Sequence, residues 1–270
     1  MGSTDFTDIA KRYESDSIIQ RSAADKLLDL LAIKRDDDVL DLGCGTGNLT
    51  RKIRTLTSGN VVGIDASEGM ISEAEGKRHG RAIAFENRNA GTLPYRDAFS
   101  VIFCNSTFQW FRDPVGVLAN CHMALRNSGR MAIQAPAKTV YCPNFLTALE
   151  AVASDPRTAK TFAGFDPPWL FLNTVDEYAA LFKQAGFSVP FARIEAIATV
   201  HSPEEVMSIF ESGAAAGYLN QDHYSKPVDE TYAQSFREIV RRSFQQQADR
   251  NGKVALLFNR IYLLAIQERS

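Results

Sequence analysis

Three glycines and one aspartate have types and spacing that suit a binding site for a nucleoside. Gly43, Gly45 and Gly47 directly follow an apolar stretch, and Asp65 ends a second apolar stretch eighteen positions after the last glycine. Backbone without a Cβ lets a ligand approach closely, and a carboxylate accepts hydrogen bonds from ribose hydroxyls. The ends of neighbouring parallel strands meet at one edge of a sheet, so these residues predict a nucleoside-cofactor site there.

Two other kinds of nucleotide-binding turn have different spacing. A dinucleotide fingerprint has the pattern G-x-G-x-x-G, whereas this turn has G-x-G-x-G with Asp41 two residues before its first glycine. A P-loop requires Gly-Lys-Ser/Thr after the turn, and because none follows here that class of site is excluded. On spacing alone, a dinucleotide such as NAD stays open as the alternative ligand.

The run Leu40–Gly47 resembles motif I of the class I S-adenosylmethionine-dependent methyltransferases. In that family the glycines lie against the methionine part of the cofactor, and an aspartate near the end of the second strand binds the ribose, a position that Asp65 matches. The resemblance implies S-adenosyl-L-methionine as the cofactor. It also implies a Rossmann-like α/β fold, with a seven-stranded, mostly parallel sheet, helices on both faces and a helical cap inserted before the last strand.

Further motifs extend the resemblance over residues 35–136. Asn89 stands where the family usually has an aspartate that accepts from the adenine amino group, and its amide oxygen can also accept, without the charge. Asn105 ends the predicted fourth strand. The resemblance implies cofactor-binding roles for Tyr13, Asp41, Gly43, Cys44, Gly45, Gly47, Asp65, Ala66, Met70, Asn89, Ala90 and Asn105.

Four side chains are candidates for the catalytic, substrate-facing part of the site. Tyr13 ends a segment that resembles the N-terminal lid of the family, whose tyrosine closes over the cofactor. Gln109 and Trp110 follow the fourth strand and are expected to face the transferring methyl group. His223 lies at the edge of the predicted cap and is a candidate general base. For each of these side chains a packing role remains the alternative.

Composition argues against several other functions. The chain of 270 residues has a net charge of −2 and 45% hydrophobic residues, which predicts a globular protein without a broad basic surface for nucleic acid. It has no apolar segment of membrane-spanning length and no evident signal peptide. Its four cysteines lack the spacing of a metal site or a small disulfide scaffold, so we expect a reduced, cytoplasmic protein without a metal.

The hydrophobic pattern predicts how the chain is organised. Residues 39–136 alternate strands with helices, which indicates a parallel sheet, and residues 203–250 are mostly helical. We therefore predict N-terminal lid helices at 1–34, a cofactor-binding core at 35–202 and 252–270, and a helical cap over the substrate site at 203–251.

Within the superfamily, the layout resembles that of the trans-aconitate and malonyl-carrier-protein O-methyltransferases. This resemblance rests on Gln109-Trp110, on the helical block and on the segment Asn259–Tyr262. It implies a small-molecule or acyl-carrier-bound substrate and favours methylation of a carboxylate. The alternatives are C- or N-methylation of a secondary metabolite, or a cofactor-binding protein without turnover. The sequence does not determine the oligomeric state.

Methyl transfer from a sulfonium is a displacement that needs mainly alignment and exclusion of water. A carboxylate acceptor is ionised at neutral pH and requires no general base, whereas a phenol or a carbon acid would benefit from one. Arg237, Arg241 and Arg242 lie on one predicted helix, where a guanidinium could bind a substrate carboxylate in bidentate fashion. The alternative for all three is a solvated helix surface.

Overall fold

The computed structural model describes residues 18–77 and 82–268. Within these residues, seven strands form one mixed sheet: β1 Val39–Leu42, β2 Val61–Asp65, β3 Ala84–Asn87, β4 Phe99–Asn105, β5 Leu125–Pro136, β6 Phe187–His201 and β7 Val254–Gln267. The strand order is β3-β2-β1-β4-β5-β7-β6. Strands β1 to β5 are parallel, whereas β7 runs antiparallel to both of its neighbours.

Ten α-helices connect or flank these strands in the described part of the chain. They are α1 Ile18–Leu31, α2 Asn48–Leu56, α3 Glu68–Gly76, α4 Pro114–Ala124, α5 Pro143–Ser154, α6 Ala159–Phe162, α7 Val175–Gln184, α8 Pro203–Glu211, α9 Ala214–Tyr218 and α10 Glu230–Gln246. Local sequence explains where several of them begin. Asp113 accepts from the Gly116 N–H at the start of α4, and Ser202 forms a capping box with Glu205 at the start of α8.

Strand β1 lies at the centre of the cofactor-binding part of the sheet. It pairs with β2 on one side and with β4 on the other, so the chain after β1 builds the sheet outward in two directions. The carboxyl ends of β1, β2 and β4 therefore border one crevice, because connections from neighbouring strands leave in opposite directions at such a switch point. This topology brings the glycine turn after β1 and the aspartate at the end of β2 to the same edge.

Helices cover both faces of the sheet, and strand alternation explains why. Val101 and Phe103 of β4 pack with α1, α2 and α3, whereas Ile102 and Cys104 pack with α4 and α7 on the other face. All four side chains are buried, as expected for a central parallel strand that is covered on both sides. Burial of this apolar surface stabilises the two layers.

A third cluster of buried residues holds the helices inserted between β6 and β7. Phe210 of α8 and Phe236 and Phe244 of α10 pack with Phe145 of α5 and Phe258 of β7. The centroids of the Phe145 and Phe210 rings are 5.0 Å apart, in an edge-to-face arrangement. The predicted α/β class is thus confirmed, including the mostly parallel sheet and the helical insertion before the last strand.

Candidate cofactor and acceptor site

A cavity of about 430 Å³ lies at the carboxyl ends of β1, β2 and β4, within the size range of small-molecule sites. On one side it is bordered by the glycine turn, the end of β2, the segment after β3 and the last residue of β4. On the other side it is bordered by the loop after β4, the start of α5, the loop before α7, the α8–α9 junction and β7. The first side is called the cofactor half below, and the second side the acceptor half.

The glycine turn borders the cavity through Gly43 and Gly45, and Gly45 is the one that leaves open space. Its φ is +53°, and a Cβ placed on it would meet no protein atom within 4 Å. By contrast, a Cβ on Gly43 would lie 2.2 Å from Thr107 Oγ1, and one on Gly47 would lie 2.7 Å from the Phe85 ring. At Gly43 and Gly47, the absence of a side chain therefore lets neighbouring protein atoms pack against the backbone. At Gly45, it leaves open space for a ligand.

Asp65 is held at the cavity wall by two backbone donors. The Gly45 N–H donates to its Oδ2 and the Ser67 N–H to its Oδ1, both at 2.9 Å. Burial raises the pKa of this carboxyl, and the hydrogen bonds from Ser67 and Gly45 act in the opposite direction. Each carboxylate oxygen retains a further lone-pair site, so the group is placed to accept hydrogen bonds from ribose hydroxyls. A nucleoside cofactor therefore fits the residues present.

Other predicted cofactor residues line the same half. Ala66, Met70, Asn89, Ala90 and Asn105 all border the cavity. The Oδ1 atom of Asn89 accepts from the Gly91 N–H at 2.7 Å, which fixes the amide at the rim and leaves one lone-pair site on that oxygen.

Three predicted cofactor residues do not line the cavity. Asp41 is buried beside α2, where its Oδ2 accepts from Thr50 Oγ1 at 2.6 Å, and burial raises its pKa to about 7. The Cys44 thiol is also buried, and burial raises its pKa well above the ordinary value, so it stays protonated. Gly47 packs on Phe85. The positions of these residues support the shape of the turn from behind the wall, rather than the ligand contact that the sequence predicts.

Gln109 and Trp110 line the acceptor half, where the sequence predicts them. The Gln109 Nε2 donates to the Ser106 carbonyl oxygen at 2.9 Å, which sets the orientation of the amide because that oxygen can only accept. Its Oε1 is buried and has no hydrogen-bond partner among the described residues. The Trp110 ring lies edge-on to Trp169, with 5.5 Å between centroids.

One predicted catalytic residue, His223, does not take part in this wall. His223 lies in a 3₁₀ turn at Gln221–His223 and is buried, but it does not border the cavity. Burial and then the positive charge of Arg112 lower its pKa, so the ring is neutral at neutral pH. A neutral imidazole can act as a base, but this one stands behind the wall, and its position does not support the predicted role. Tyr13 lies outside the described residues.

Sequence reasoning missed most of the acceptor half. Tyr141, Phe145, Phe171 and Phe258 form an aromatic wall from three distant segments, and Arg260 lines the cavity beside them. The segment around residue 260 contributed to the resemblance, but no local pattern assigned its arginine to a site. The predicted arginines lie elsewhere, and each of them pairs with an acidic residue: Arg237 with Glu211, Arg241 with Glu204 and Arg242 with Asp155.

The cavity wall offers few groups that could remove a proton. Among the described residues, no histidine, lysine, cysteine or glutamate lines it. Tyr141 lines it, but burial, then the neighbouring Tyr218, raise the pKa of its phenol well above the ordinary value. Asp113 lines the exposed rim and caps α4.

In the ranges 18–77 and 82–268, no helix has both the length and the apolar character to cross a membrane. The same residues contain no group of three or more histidine, cysteine, aspartate or glutamate side chains that could hold a metal ion.

The sheet order and the cavity at its switch point define a class I methyltransferase fold. Solved structures show the same fold: the YcgJ protein from Bacillus subtilis has a TM-score of 0.63 at 15% identity, covering 93% of this chain and all of that one. The 1,6-didemethyltoxoflavin-N1-methyltransferase of Burkholderia thailandensis, solved with S-adenosylhomocysteine, has a TM-score of 0.52 at 16% identity, covering 94% and 80%.

A family described as "Methyltransferase domain" matches residues 33–213, more than half of the chain. The chain belongs to this family and is an S-adenosylmethionine-dependent methyltransferase. It is 25% identical over 250 residues to a trans-aconitate 2-methyltransferase from Methylobacterium nodulans, covering 92% of this chain and 93% of that one. It is 30% identical over 130 residues to a malonyl-[acyl-carrier protein] O-methyltransferase from Acetivibrio thermocellus, covering 47% and 46%.

Proposed function

We propose that this protein transfers the methyl group of S-adenosylmethionine to a carboxylate oxygen of a small-molecule or carrier-bound acid. The lining of the acceptor half carries the proposal: it holds a buried arginine, Arg260, and none of the described side chains there is a base suited to neutral pH. An acid acceptor matches both features, since it is attracted to a cation and is already ionised.

The cofactor supplies a methyl group on a positively charged sulfur, so an acceptor oxygen displaces a neutral thioether and no proton has to move. The chain's own residues bind and orient. Gly45 lets the cofactor approach the turn, and Asp65 accepts from its ribose hydroxyls. Met70 of α3 and Asn89 and Ala90 after β3 border the same half and would hold the adenine. Asn105 borders the cavity at the end of β4.

The acceptor half positions the acceptor and excludes water from the site. Trp110 and Trp169 pack edge to face at the cavity, and Phe171 stacks on Trp169 with 5.9 Å between ring centroids. Rigid aromatic walls hold an acceptor in one orientation and exclude water, which increases the effective concentration of the two reactants. Gln109, with its amide oriented by the Ser106 carbonyl, lines this half as well.

The relatives support an acid as acceptor. The names of two of them, the trans-aconitate and the malonyl-[acyl-carrier protein] methyltransferases, place their activity on an acid and on a carrier-bound acyl group. For the chain described here, both kinds of acceptor remain within the proposal.

Residues 203–251 act as the cap in this proposal. Ile209, Ser212, Gly213 and Ala214 border the cavity from this segment, which supports its placement over the acceptor. Within the predicted lid at 1–34, α1 packs on the sheet as part of the core, so the proposed lid closure belongs to the residues before α1. These include Tyr13 and lie outside the described residues. All four cysteines are buried free thiols in the described residues, which supports the proposed cytoplasmic location.

N-methylation is the second candidate, because of one observation. The buried Gln109 Oε1 atom lacks a hydrogen-bond partner among the described residues, and an amine N–H on an acceptor would satisfy it. A carboxylate cannot donate to this oxygen. An acid with an additional hydroxyl or amide group can, so the observation does not exclude the first candidate.

The test is an acceptor screen with S-adenosylmethionine labelled in its methyl group. Mono- and dicarboxylic acids, their acyl-carrier thioesters and matched amines are supplied, and S-adenosylhomocysteine is quantified. The product is then treated with dilute base, which cleaves methyl esters but leaves N-methyl and C-methyl groups intact. Base-labile label supports carboxylate methylation. Base-stable label overturns it, and so does a screen in which no carboxylic acid or acyl-carrier thioester is methylated.

A further inference from the structure

Strand β6 forms one edge of the sheet. It is the last strand in the sheet order, and it pairs with β7 along its fifteen residues, Phe187–His201. Within residues 18–77 and 82–268, no backbone hydrogen bond joins its outer side to another segment. This edge therefore presents a row of N–H and C=O groups on which another strand can pair.

The edge of β6 is blocked at its start but not in its middle. Pro190 has no N–H, and the register with β7 shifts between Ser188 and Phe191. Such interruptions are common where an edge strand is protected from other chains. From there to His201 the strand contains neither proline nor glycine. Residues 191–197 therefore form an uninterrupted edge segment, about 24 Å long.

Arg193 and Glu195 are the two charged residues of the segment 191–197. Because side chains alternate along a strand, both lie on the same face of the sheet. Lys26 of α1 lies on this face, where it pairs with Glu195 and stands over the Tyr262 ring. The Arg193 side chain is 69% exposed, and its Nε lies 3.5 Å from Oε1 of Glu195. The open edge thus carries two opposite charges, two positions apart on one face.

This charge pattern is complementary to itself in one antiparallel register. When two copies of a strand pair about a two-fold axis perpendicular to the sheet, residues on the same face lie opposite each other, so the register is centred on one residue. Centring on Ile194 places Arg193 of each copy opposite Glu195 of the other. Centring on Arg193 or on Glu195 would instead place like charges directly opposite, which is unfavourable.

We propose that this protein forms a symmetric dimer through β6, centred on Ile194, in which the sheets of two copies join into one. In this register Ala192 of one copy lies opposite Ala196 of the other. Phe191 likewise lies opposite Ile197, so small side chains meet small ones and large apolar ones meet each other. Ala196 is exposed and the other three are half-buried in the single chain, so pairing removes apolar surface from water. The ladder supplies about six to eight backbone hydrogen bonds.

The proposed interface lies away from the cofactor half of the cavity. Strands β5 and β7 separate β6 from β4, which amounts to three strand spacings or roughly 15 Å. Strand β1, which carries the glycine turn, lies one spacing further away. The dimer therefore requires neither the cofactor nor an acceptor, and it stands or falls independently of the reaction proposed above.

The test is a charge exchange followed by sedimentation equilibrium of the full-length protein at low salt. We expect wild type to dimerise, and Arg193→Glu and Glu195→Arg each to weaken dimerisation at least about tenfold, because each places like charges opposite. An equimolar mixture of the two variants should regain the dimer, because each chain then meets the opposite charges of the other. Hydrogen exchange locates the contact: the outward N–H groups of residues 191–197 should exchange more slowly in the dimer.

Arg237→Glu and Glu238→Arg are the matched controls, since they make the same changes in net charge on α10 and should dimerise like wild type. Thermal unfolding and S-adenosylhomocysteine affinity report whether each variant is folded. If Glu195→Arg does not fold without its Lys26 pair, Glu195→Gln replaces it, and its mixture with Arg193→Glu should regain part of the dimer.

Three results would overturn the proposal. The first is a wild type that stays monomeric at every concentration. The second is a dimer that both variants retain, or that their mixture fails to regain, because the contact would then lie on another surface or in another register. The third is slow exchange of the outward N–H groups of 191–197 in the monomer, which would show that this edge is covered by the same chain.

Discussion

The two halves of the cavity are built in different ways. The cofactor half uses backbone and short polar side chains from the ends of β1, β2, β3 and β4, which follow one another along the chain. The acceptor half uses large side chains from the loop after β4, from α5, from the loop before α7, from the α8–α9 junction and from β7. The cofactor half depends on the space that the glycine backbone leaves open for a ligand. The acceptor half depends on the large side chains that form its wall.

This difference predicts opposite sensitivities. Adding a single carbon at Gly45 should damage the cofactor half, whereas removing atoms from the aromatic wall should damage the acceptor half. If the halves are as separate as their construction suggests, variants in one should leave ligand binding by the other nearly unchanged. The following variants test that expectation.

The largest effect on binding is expected at the glycine turn. Gly45→Val places a branched side chain in the open space and at a φ of +53°, so S-adenosylmethionine affinity should fall by more than about 100-fold. Gly45→Asn is the matched variant, because asparagine tolerates this backbone but still fills the space. Calorimetry should show loss in both. Retained affinity in the asparagine variant would show that strain, not space, is the cause.

A smaller effect is expected at Asp65. In Asp65→Asn one of the two backbone donors at this group faces an amide NH₂ instead of an oxygen, and the charge for the ribose is lost. We expect cofactor affinity to fall roughly 10- to 100-fold. Asp113→Asn is the control, since it is an aspartate at the rim whose helix-capping role asparagine can fill. Similar losses in the two variants would contradict a ribose contact specific to Asp65.

The acceptor half is tested at Trp169. Trp169→Ala removes the ring that packs between Trp110 and Phe171, so the acceptor KM should rise about tenfold with cofactor affinity within about twofold of wild type. Gly217→Ala should shift KM in the same direction by less, because a Cβ there would lie 2.1 Å from the indole. If both variants also lost cofactor affinity, the expectation that the two halves bind their ligands independently would be wrong.

The smallest effect on binding is expected at Asp41, behind the glycine turn. Burial raises its pKa to about 7, above the value of 3.8 for an unperturbed aspartate, so the native state holds this proton more tightly than the unfolded chain does. The resulting stability is fully present below about pH 4 and is lost as the pH rises through about 7. Between those two pH values, this group alone lowers the free energy of unfolding by about 1.4 kcal/mol for each unit by which the pH rises.

Asp41→Asn should flatten that slope in urea unfolding measured from pH 5 to pH 8 without cofactor, since the amide keeps an acceptor for Thr50. Its S-adenosylmethionine affinity should stay within a fewfold of wild type. An unchanged slope would mean that Asp41 is ionised in the native protein throughout this range. A large loss of S-adenosylmethionine affinity would instead support the contact between Asp41 and the cofactor that the sequence predicts.

The contrast between the halves also explains what the sequence could predict. The mostly parallel sheet and the helical insertion could be predicted, and so could the positions of Gly45, Asp65, Asn89 and Asn105 at the cavity. These positions follow from motifs in which a turn and the preceding strand lie within a few residues of each other. Burial in the folded protein explains why two predicted cofactor residues do not line the cavity. Asp41 and Cys44 belong to the same motif, but alternation along β1 and the direction of the turn point them into the protein.

The acceptor half was harder to predict because its residues meet only after folding. Arg260 and Tyr141 are separated by more than a hundred positions, and neither stands in a local pattern that indicates a site. His223 was a candidate base because it lies at the edge of the predicted cap, yet it is buried in the 3₁₀ turn Gln221–His223 and does not border the cavity. The three arginines of α10 were plausible carboxylate ligands, but each lies beside an acidic side chain at the surface.

The most direct test of the central claim is one carbon NMR spectrum of the product. The enzyme is incubated with ¹³C-methyl-labelled S-adenosylmethionine and the acceptor that turns over fastest in the screen. A methyl-ester resonance is the result expected if a carboxylate oxygen receives the methyl group. An N-methyl resonance would contradict carboxylate methylation and favour the second candidate, in which Gln109 accepts from an amine. A C-methyl resonance would also contradict it, because it would require a base that the described side chains of the acceptor half do not supply.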